Sequence, residues 1–224
     1  TMVFAGSFLP HKGVDLLPEI LGKVASRIPN IQLSIVGDGG YKETFFKAIE
    51  HIGISEKVLW NGWVTPAKMV EIFNQADILV HPVRIEGVGL AIIEAMACGL
   101  VPVVSCIPGV TDEIVKNQET GVLCPMNSVE SFAGAIIELF SQPDSLLSMK
   151  KKAESAARAD YGMQRMIRDY EALYHATDPA PGKRLPKSQW IVKMATQYML
   201  KSPFSQGTTK RIKKMFTNLP MFRI

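Results

Sequence analysis

Long apolar runs are missing from this 224-residue sequence: none approaches the roughly 20 residues of a membrane-spanning helix. Cysteine is scarce as well. Cys98, Cys106 and Cys124 are odd in number and lack CxxC spacing, which argues against a disulfide framework or a zinc site and favours a reducing compartment. Their apolar neighbours make them small core residues. The opening TMVFAGSFLP has no basic segment ahead of an apolar one, so no secretory leader is legible; it begins inside a strand-like run and reads as a truncated or processed start. Acid is nearly absent from residues 178–224, where ten Lys or Arg meet only Asp178, a balance of +9 that leaves −5 for the rest of a chain with net charge +4. An acidic body without a recognition motif argues against nucleic acid. The break in charge marks a boundary between a domain at 1–177 and a basic extension at 178–224.

What is present is a parallel α/β pattern. Short apolar runs at Met2–Ala5, Ile31–Val36, Lys57–Trp60, Ile78–His81, Val101–Val104 and Val122–Cys124 read as strands. Helical periodicity lies between them, with Pro18 tolerable only in a first turn. Helices are expected at Tyr41–Ile52, from Thr65-Pro66 to Gln75, at Leu90–Cys98, near Asp112–Lys116, and from Ser128 to Ser141; two more follow, Pro143–Ala159 and Met163–Ala176. Apolar rather than alternating strands predict a Rossmann-like parallel sheet with helices on both faces. Ligands of such sheets bind at the carboxyl ends of the strands, where the turns GSFLPHKG, GDGG, NGWV, RIEGVG and SCIPG should gather.

The densest chemistry is HPVRIEGVGLAIIEAMACGLVPVVSCIPGVTDEIVKNQETGVLCP at 81–125. Glu86 and Glu94 are separated by seven residues; the first precedes Gly87 and Gly89, and the second lies on a helix. A glycine turn feeding a helix suits an anion, because free N–H groups and the helix dipole both favour it. Nearby carboxylates repel a phosphate and are better used to accept hydrogen bonds from hydroxyls. A phosphate cradle with hydroxyl acceptors reads as a nucleotide-sugar site. The plainer readings are a solvated loop charge and a helix-surface charge for the glutamates, and turn-shaping for the glycines. Lys12 could be a surface lysine. Trp60 and Trp63 read as packing residues, His81 as a satisfied strand-end histidine, and Asp38 as a turn residue.

HKG at 11–13, VGDG at 36–39, GWV at 62–64 and EGVGLAIIEAMACGLVPVV at 86–104 together resemble the donor-binding, C-terminal half of family-four retaining glycosyltransferases, over Val3 to Thr177. The resemblance implies a GT-B fold, in which two Rossmann-like domains face a cleft. It implies transfer of a hexosyl group from a nucleoside diphosphate sugar to an acceptor hydroxyl of a polysaccharide, lipopolysaccharide or glycolipid, with retention and without a metal. By that likeness the catalytic residues are Lys12, which meets the diphosphate, and Glu86, which meets the donor sugar. Glu94 would hold the ribose. The amides of Gly87, Val88, Gly89 and Leu90 would touch phosphates and sugar, and Gly62, Trp63 and Val64 would read the base edge by backbone. Gly6 would keep the first turn open.

One departure stands out. The family commonly has an arginine where this chain has Ser7, so half of the diphosphate clamp is missing, and Arg84 is the expected compensating cation. The PMNS segment also lacks an aspartate often found there, Asn127 standing in its vicinity. The amino-terminal acceptor domain with its catalytic histidine is not in this chain, which alone would bind donor without turnover; His11 reads as a loop residue. Two alternatives remain: a non-catalytic nucleotide-sugar-binding subunit, and a sugar-nucleotide epimerase, against which the paired glutamates argue. The basic extension, with amphipathic stretches around Trp190 and Ile212, reads equally as a solvated tail, a helix docked on the missing domain, or a surface across 183–223 for anionic membrane. A cytoplasmic location, peripheral at the inner membrane face, follows from that last reading.

Overall fold

A computed structural model describes residues 1–177 of the chain. The two amphipathic stretches of the basic extension lie outside them, and the boundary expected at 177/178 falls at their edge. The chain divides into two compact units between Arg165 and Met166. The first carries the sheet; of the second, residues 166–177 are described and are helical.

Six strands, β1 (Met2–Ala5), β2 (Leu33–Val36), β3 (Val58–Gly62), β4 (Ile78–His81), β5 (Val101–Ser105) and β6 (Val122–Cys124), form one sheet in the order β3-β2-β1-β4-β5-β6. Every pairing is parallel. Residues of β1, β2 and β4 are all buried, as a sheet covered on both faces demands. Alternation sorts them. Phe4, Leu33, Ile35, Val80 and Val103 face α1 (Leu17–Arg27), α2 (Lys42–Ile52) and α6 (Val129–Ser141). Val3, Ala5, Leu79 and Val104 face α3 (Pro66–Asn74), α4 (Leu90–Ala97), α5 (Thr111–Ile114) and the far half of α7 (Pro143–Tyr161). The last helix, α8, runs Met163–Thr177. The expected Rossmann-like α/β architecture is therefore present.

Local chemistry sets the ends. Pro18 does fall in the first turn of α1. Thr65 caps α3, its hydroxyl accepting from Lys68 N, with Pro66 next. Ser128 caps α6 through Ser131 N. The short helix α5 begins at Thr111 rather than Asp112, because the Thr111 hydroxyl donates to Ser105 O at 2.7 Å and accepts from Ile107 N at 2.7 Å, closing the loop after β5.

The chain runs outward from β1 to β3 and then returns to lay β4 on the other side of β1. Connections leaving β1 and β4 diverge there and open a crevice at the carboxyl ends. Two close approaches shape it. A Cβ on Gly37 (φ 133°) would sit 1.9 Å from Gly6 O, and one on Gly13 (φ 72°) would sit 1.9 Å from Pro82 O. Only glycine allows the β1 loop to meet the β4 loop backbone to backbone.

Gly13→Ala should therefore lower stability by about 2–4 kcal/mol, combining left-handed strain with a backbone clash. Gly40, where an added Cβ would meet nothing within 4 Å, serves as control and should change by about 0.5 kcal/mol or less on replacement by Ala. Urea unfolding measures both; equal effects would mean that the two loops do not make that contact.

Candidate functional site

The β1 loop descends through a tight turn, Pro10–Lys12, closed by Gly13 N donating to Pro10 O at 2.9 Å. Arg84 N donates to His11 O at 2.9 Å, tying that turn to the β4 loop. Lys12 is thereby held over the crevice, and Lys12 Nζ donates to Glu86 Oε2 at 2.9 Å although 74 residues separate the two.

Glu86 has further partners. His81, the last residue of β4 and 1% exposed, places Nε2 3.1 Å from the same Oε2. Glu86 Oε1 accepts from Gly87 N at 3.0 Å and keeps further acceptor capacity. The hydrogen bond from His81, then those from Lys12 and Gly87, outweigh burial and hold the Glu86 carboxyl well below its ordinary value of 4.5. His81 Nδ1 is buried and has no partner among the described residues.

Arg84 requires a correction. Its expected role as a free cation for a diphosphate does not match its surroundings. The guanidinium clasps Asp15 in a bidentate pair, Nη1 to Oδ1 at 2.6 Å and Nη2 to Oδ2 at 2.7 Å. Nη1 also donates to Pro10 O, and Nε donates to Asn127 Oδ1 at 2.6 Å. All three nitrogens donate across the loops after β1, β4 and β6 and knit them together. Hydrogen bonding to Arg84 holds Asp15 below its ordinary 3.8. Asn127, at φ 60°, takes a left-handed position that asparagine tolerates. Ser7 is exposed, and Arg84, the cation expected to compensate for it, is engaged with Asp15, Pro10 and Asn127.

Gly89 (φ 69°) opens α4, and a Cβ there would lie 2.8 Å from Ile114 Cδ1. Among the described residues, the amides of Val88, Gly89, Leu90 and Ala91 have no acceptor. Four free donors at a helix start form an anion seat. Glu94 lies on the solvent side of α4, opposite buried Ile92, Ala95 and Met96, and partial burial of its carboxyl raises its pKa above 4.5. Gly62 (φ 64°) ends β3 and Trp63 and Val64 follow it, two strands from β1 and hence about 10 Å away by ordinary strand spacing. The two tryptophans behave differently. Trp60 packs edge-on against Phe8 at 4.9 Å with Lys42 over its ring. Trp63 is 78% exposed, contrary to the packing expected of it, because β3 ends at Gly62 and the next side chain is carried off the sheet. Asp38 is a turn residue, accepting from Gly39 N at 2.8 Å.

The structure thus brings Lys12, His81 and Glu86 into one cluster, with the Gly87 amide bonded to Glu86 and the unpaired amides of Val88 to Ala91 next in the chain; among the described residues no hydrogen bond joins Gly6, Glu94 or Gly62–Val64 to that cluster. Sequence reasoning missed His81 as a site residue and missed Asp15 and Asn127 as partners of Arg84. The one available signal was a histidine closing an apolar strand five residues before Glu86. Cys124 is core as expected, and burial pushes its thiol up to about 12.

Depressed carboxyl values make a directional prediction. Glu86 and Asp15 add stability that is fully present above 4.5 and 3.8, and it is lost as pH falls below those values. Asp15→Asn should therefore destabilise the protein at neutral pH, yet lose less than the wild type when urea unfolding is repeated at about pH 3 instead of about pH 6. An identical acid loss in both would remove Asp15 from that balance.

The site sits on a chain whose relatives are recognisable. The family model for glycosyl transferases group 1 matches residues 1–156. A GDP-mannose-dependent alpha-(1-6)-phosphatidylinositol monomannoside mannosyltransferase of Mycobacterium tuberculosis is 31% identical over 156 residues, 66% of this chain and 40% of that protein. The C-terminal domain of a glycosyl transferase group 1 family protein from Francisella tularensis is 19% identical with a TM-score of 0.68, covering 73% of this chain and 86% of that one. A TarM variant of S. aureus, solved with fondaparinux, alpha-GlcNAc-glycerol and UDP, gives 24% and 0.69, covering 77% and 35%. The chain spans between two fifths and about half of the length of the curated relatives it matches first. Its fold is that of the C-terminal half of a GT-B protein, and with most of its 224 residues inside the family match, the chain belongs to glycosyl transferases group 1.

Proposed function

We propose that this chain is the donor-binding domain of a retaining glycosyltransferase, which in its complete form passes a hexosyl group from a nucleoside diphosphate sugar to an acceptor hydroxyl. The observation that carries it is the Lys12–Glu86 pair at the switch point, beside four unpaired amides at the start of α4. In this reading the diphosphate lies on the amides of Val88 to Ala91 and draws on Lys12, which offsets charge on the leaving group. Glu86 Oε1, with acceptor capacity to spare, takes a hydroxyl of the donor sugar. Glu94 takes the ribose hydroxyls, and the backbone of Gly62 to Val64 meets the base. Lysine and amides supply the counter-charge, so no metal is needed. Two relatives point to different bases, since one is named for GDP-mannose and the other was solved with UDP.

The acceptor side belongs to a second domain. Trp63, Ile85, Val88 and Leu90 all stand on these loops and are each more than 60% exposed. Apolar side chains gathered at a site edge are what a domain closing the cleft would cover. Acceptors of the polysaccharide or glycolipid kind, and a peripheral position at a membrane, fit the basic stretch at 183–223. A binding subunit without turnover is favoured by one observation, Ser7 with Arg84 already committed.

Calorimetric titration with UDP, GDP and ADP, first with a chelator and then with magnesium, tests the core of this. One nucleotide should bind without metal, and Lys12→Ala should weaken it about tenfold, the loss of one charge-assisted contact. Glu94 accepts hydroxyls as the ionised form, so affinity should fall as the buffer drops through its raised pKa, above 4.5, and Glu94→Gln should flatten that profile. No binding of any nucleotide would remove the donor assignment.

A further inference from the structure

His81 is enclosed almost completely, with the Phe4 ring stacked 6.0 Å from its own at an angle of 26°. It stands on a strand of the sheet, so its position is fixed by the core beneath it. Its two nitrogens differ: Nε2 meets Glu86 Oε2 at 3.1 Å, and Nδ1 has no partner among the described residues. An ionised carboxylate only accepts, so the proton between them belongs to Nε2. A second N–H at Nδ1 would be a buried donor without an acceptor, which costs more than a bare lone pair.

Glu86 Oε2 therefore has two holds of different kinds. Lys12 reaches it on a flexible four-carbon stem and is 19% exposed; His81 reaches it from inside the fold. A diphosphate arriving at the α4 amides competes with Glu86 for Lys12 and also repels the carboxylate. Once Lys12 turns to the diphosphate, His81 and the Gly87 amide are the holds on Glu86 that remain. We propose that His81, as the neutral Nε2–H tautomer, is the positioning residue that keeps Glu86 in place for the donor sugar after Lys12 has been drawn to the diphosphate. The inference rests on the donor-site reading above and assigns a role within it to a residue that does not touch the donor.

The test uses the full chain as wild type, His81→Gln and His81→Leu. Glutamine carries an amide N–H near the Nε2 position and restores the donor; leucine fills the space without one. Calorimetry compares each nucleotide with its conjugate: UDP with UDP-glucose, GDP with GDP-mannose, ADP with ADP-glucose. The readout is the ratio of conjugate to nucleotide affinity, which general destabilisation does not change. That ratio should fall about tenfold in His81→Leu, one hydrogen bond to a charged group, and return to within about threefold of wild type in His81→Gln. Nitrogen NMR of the wild-type imidazole should show the proton on Nε2. An unchanged ratio in His81→Leu, equal loss in both variants, or a proton on Nδ1 would each overturn the role of His81 while leaving the donor site standing. A wild-type chain that binds no nucleotide would instead overturn the donor reading, and the role with it.

Discussion

Contact between two backbones governs the crevice. The turn at Lys12 can approach the β4 loop only because Gly13 has no Cβ to strike the Pro82 carbonyl. Without that approach Lys12 and Glu86, 74 residues apart in sequence, would face each other across solvent, where an ion pair is worth little. With it, both side chains are less than one fifth exposed and a 2.9 Å pair forms. The sheet topology supplies the place, since β1 and β4 are neighbours whose connections leave in opposite directions. Glycine supplies the distance, and the Arg84 clasp then fastens the same seam at Pro10, His11 and Asp15.

Charge in the crevice is nearly balanced before any ligand arrives. Arg84 is cancelled by Asp15, Lys12 by Glu86, and position 7 is a neutral serine. An anion entering here therefore meets oriented amides and a lysine that must change partners, rather than an uncommitted cationic patch. That favours a ligand able to compensate Glu86 at the same time, which phosphate alone cannot do. A molecule with a diphosphate and hydroxyls within one length can satisfy both.

Most of the fold was legible because it is written locally. Short, mostly apolar runs between amphipathic helices leave a doubly covered parallel sheet as the consistent arrangement, and Thr65, Pro66 and Ser128 announce their helices by capping chemistry. The order of the strands is not written in that alternation, which fits more than one doubly wound arrangement, and it comes from the structure. The site was half legible. Glu86, the glycines after it and Lys12 carry recognisable spacing, whereas the partners of Arg84 do not. Asp15 and Asn127 come from loops 69 and 43 residues away from it, and nothing in a linear pattern distinguishes an arginine that will be neutralised from one that will stay free. Trp63 failed for a related reason. Aromatic character predicts burial on average, but the last residue of an edge strand decides where the next side chain goes.

The ion pair between Lys12 and Glu86 also couples the two ends of the proposed donor. A nucleoside diphosphate without sugar must break that pair and leaves Glu86 to His81 and the Gly87 amide, so part of its binding energy is consumed in separating the charges. A donor carrying its sugar breaks the same pair and then gives the freed carboxylate a hydroxyl to accept. Recognition of the leaving group and of the transferred group thus becomes one event rather than two additive ones. Under the proposed function the arrangement also favours release, because a diphosphate that has given up its sugar would again compete with Glu86 for Lys12. His81 matters to this cycle because it keeps Glu86 from inside the core while Lys12 changes partners.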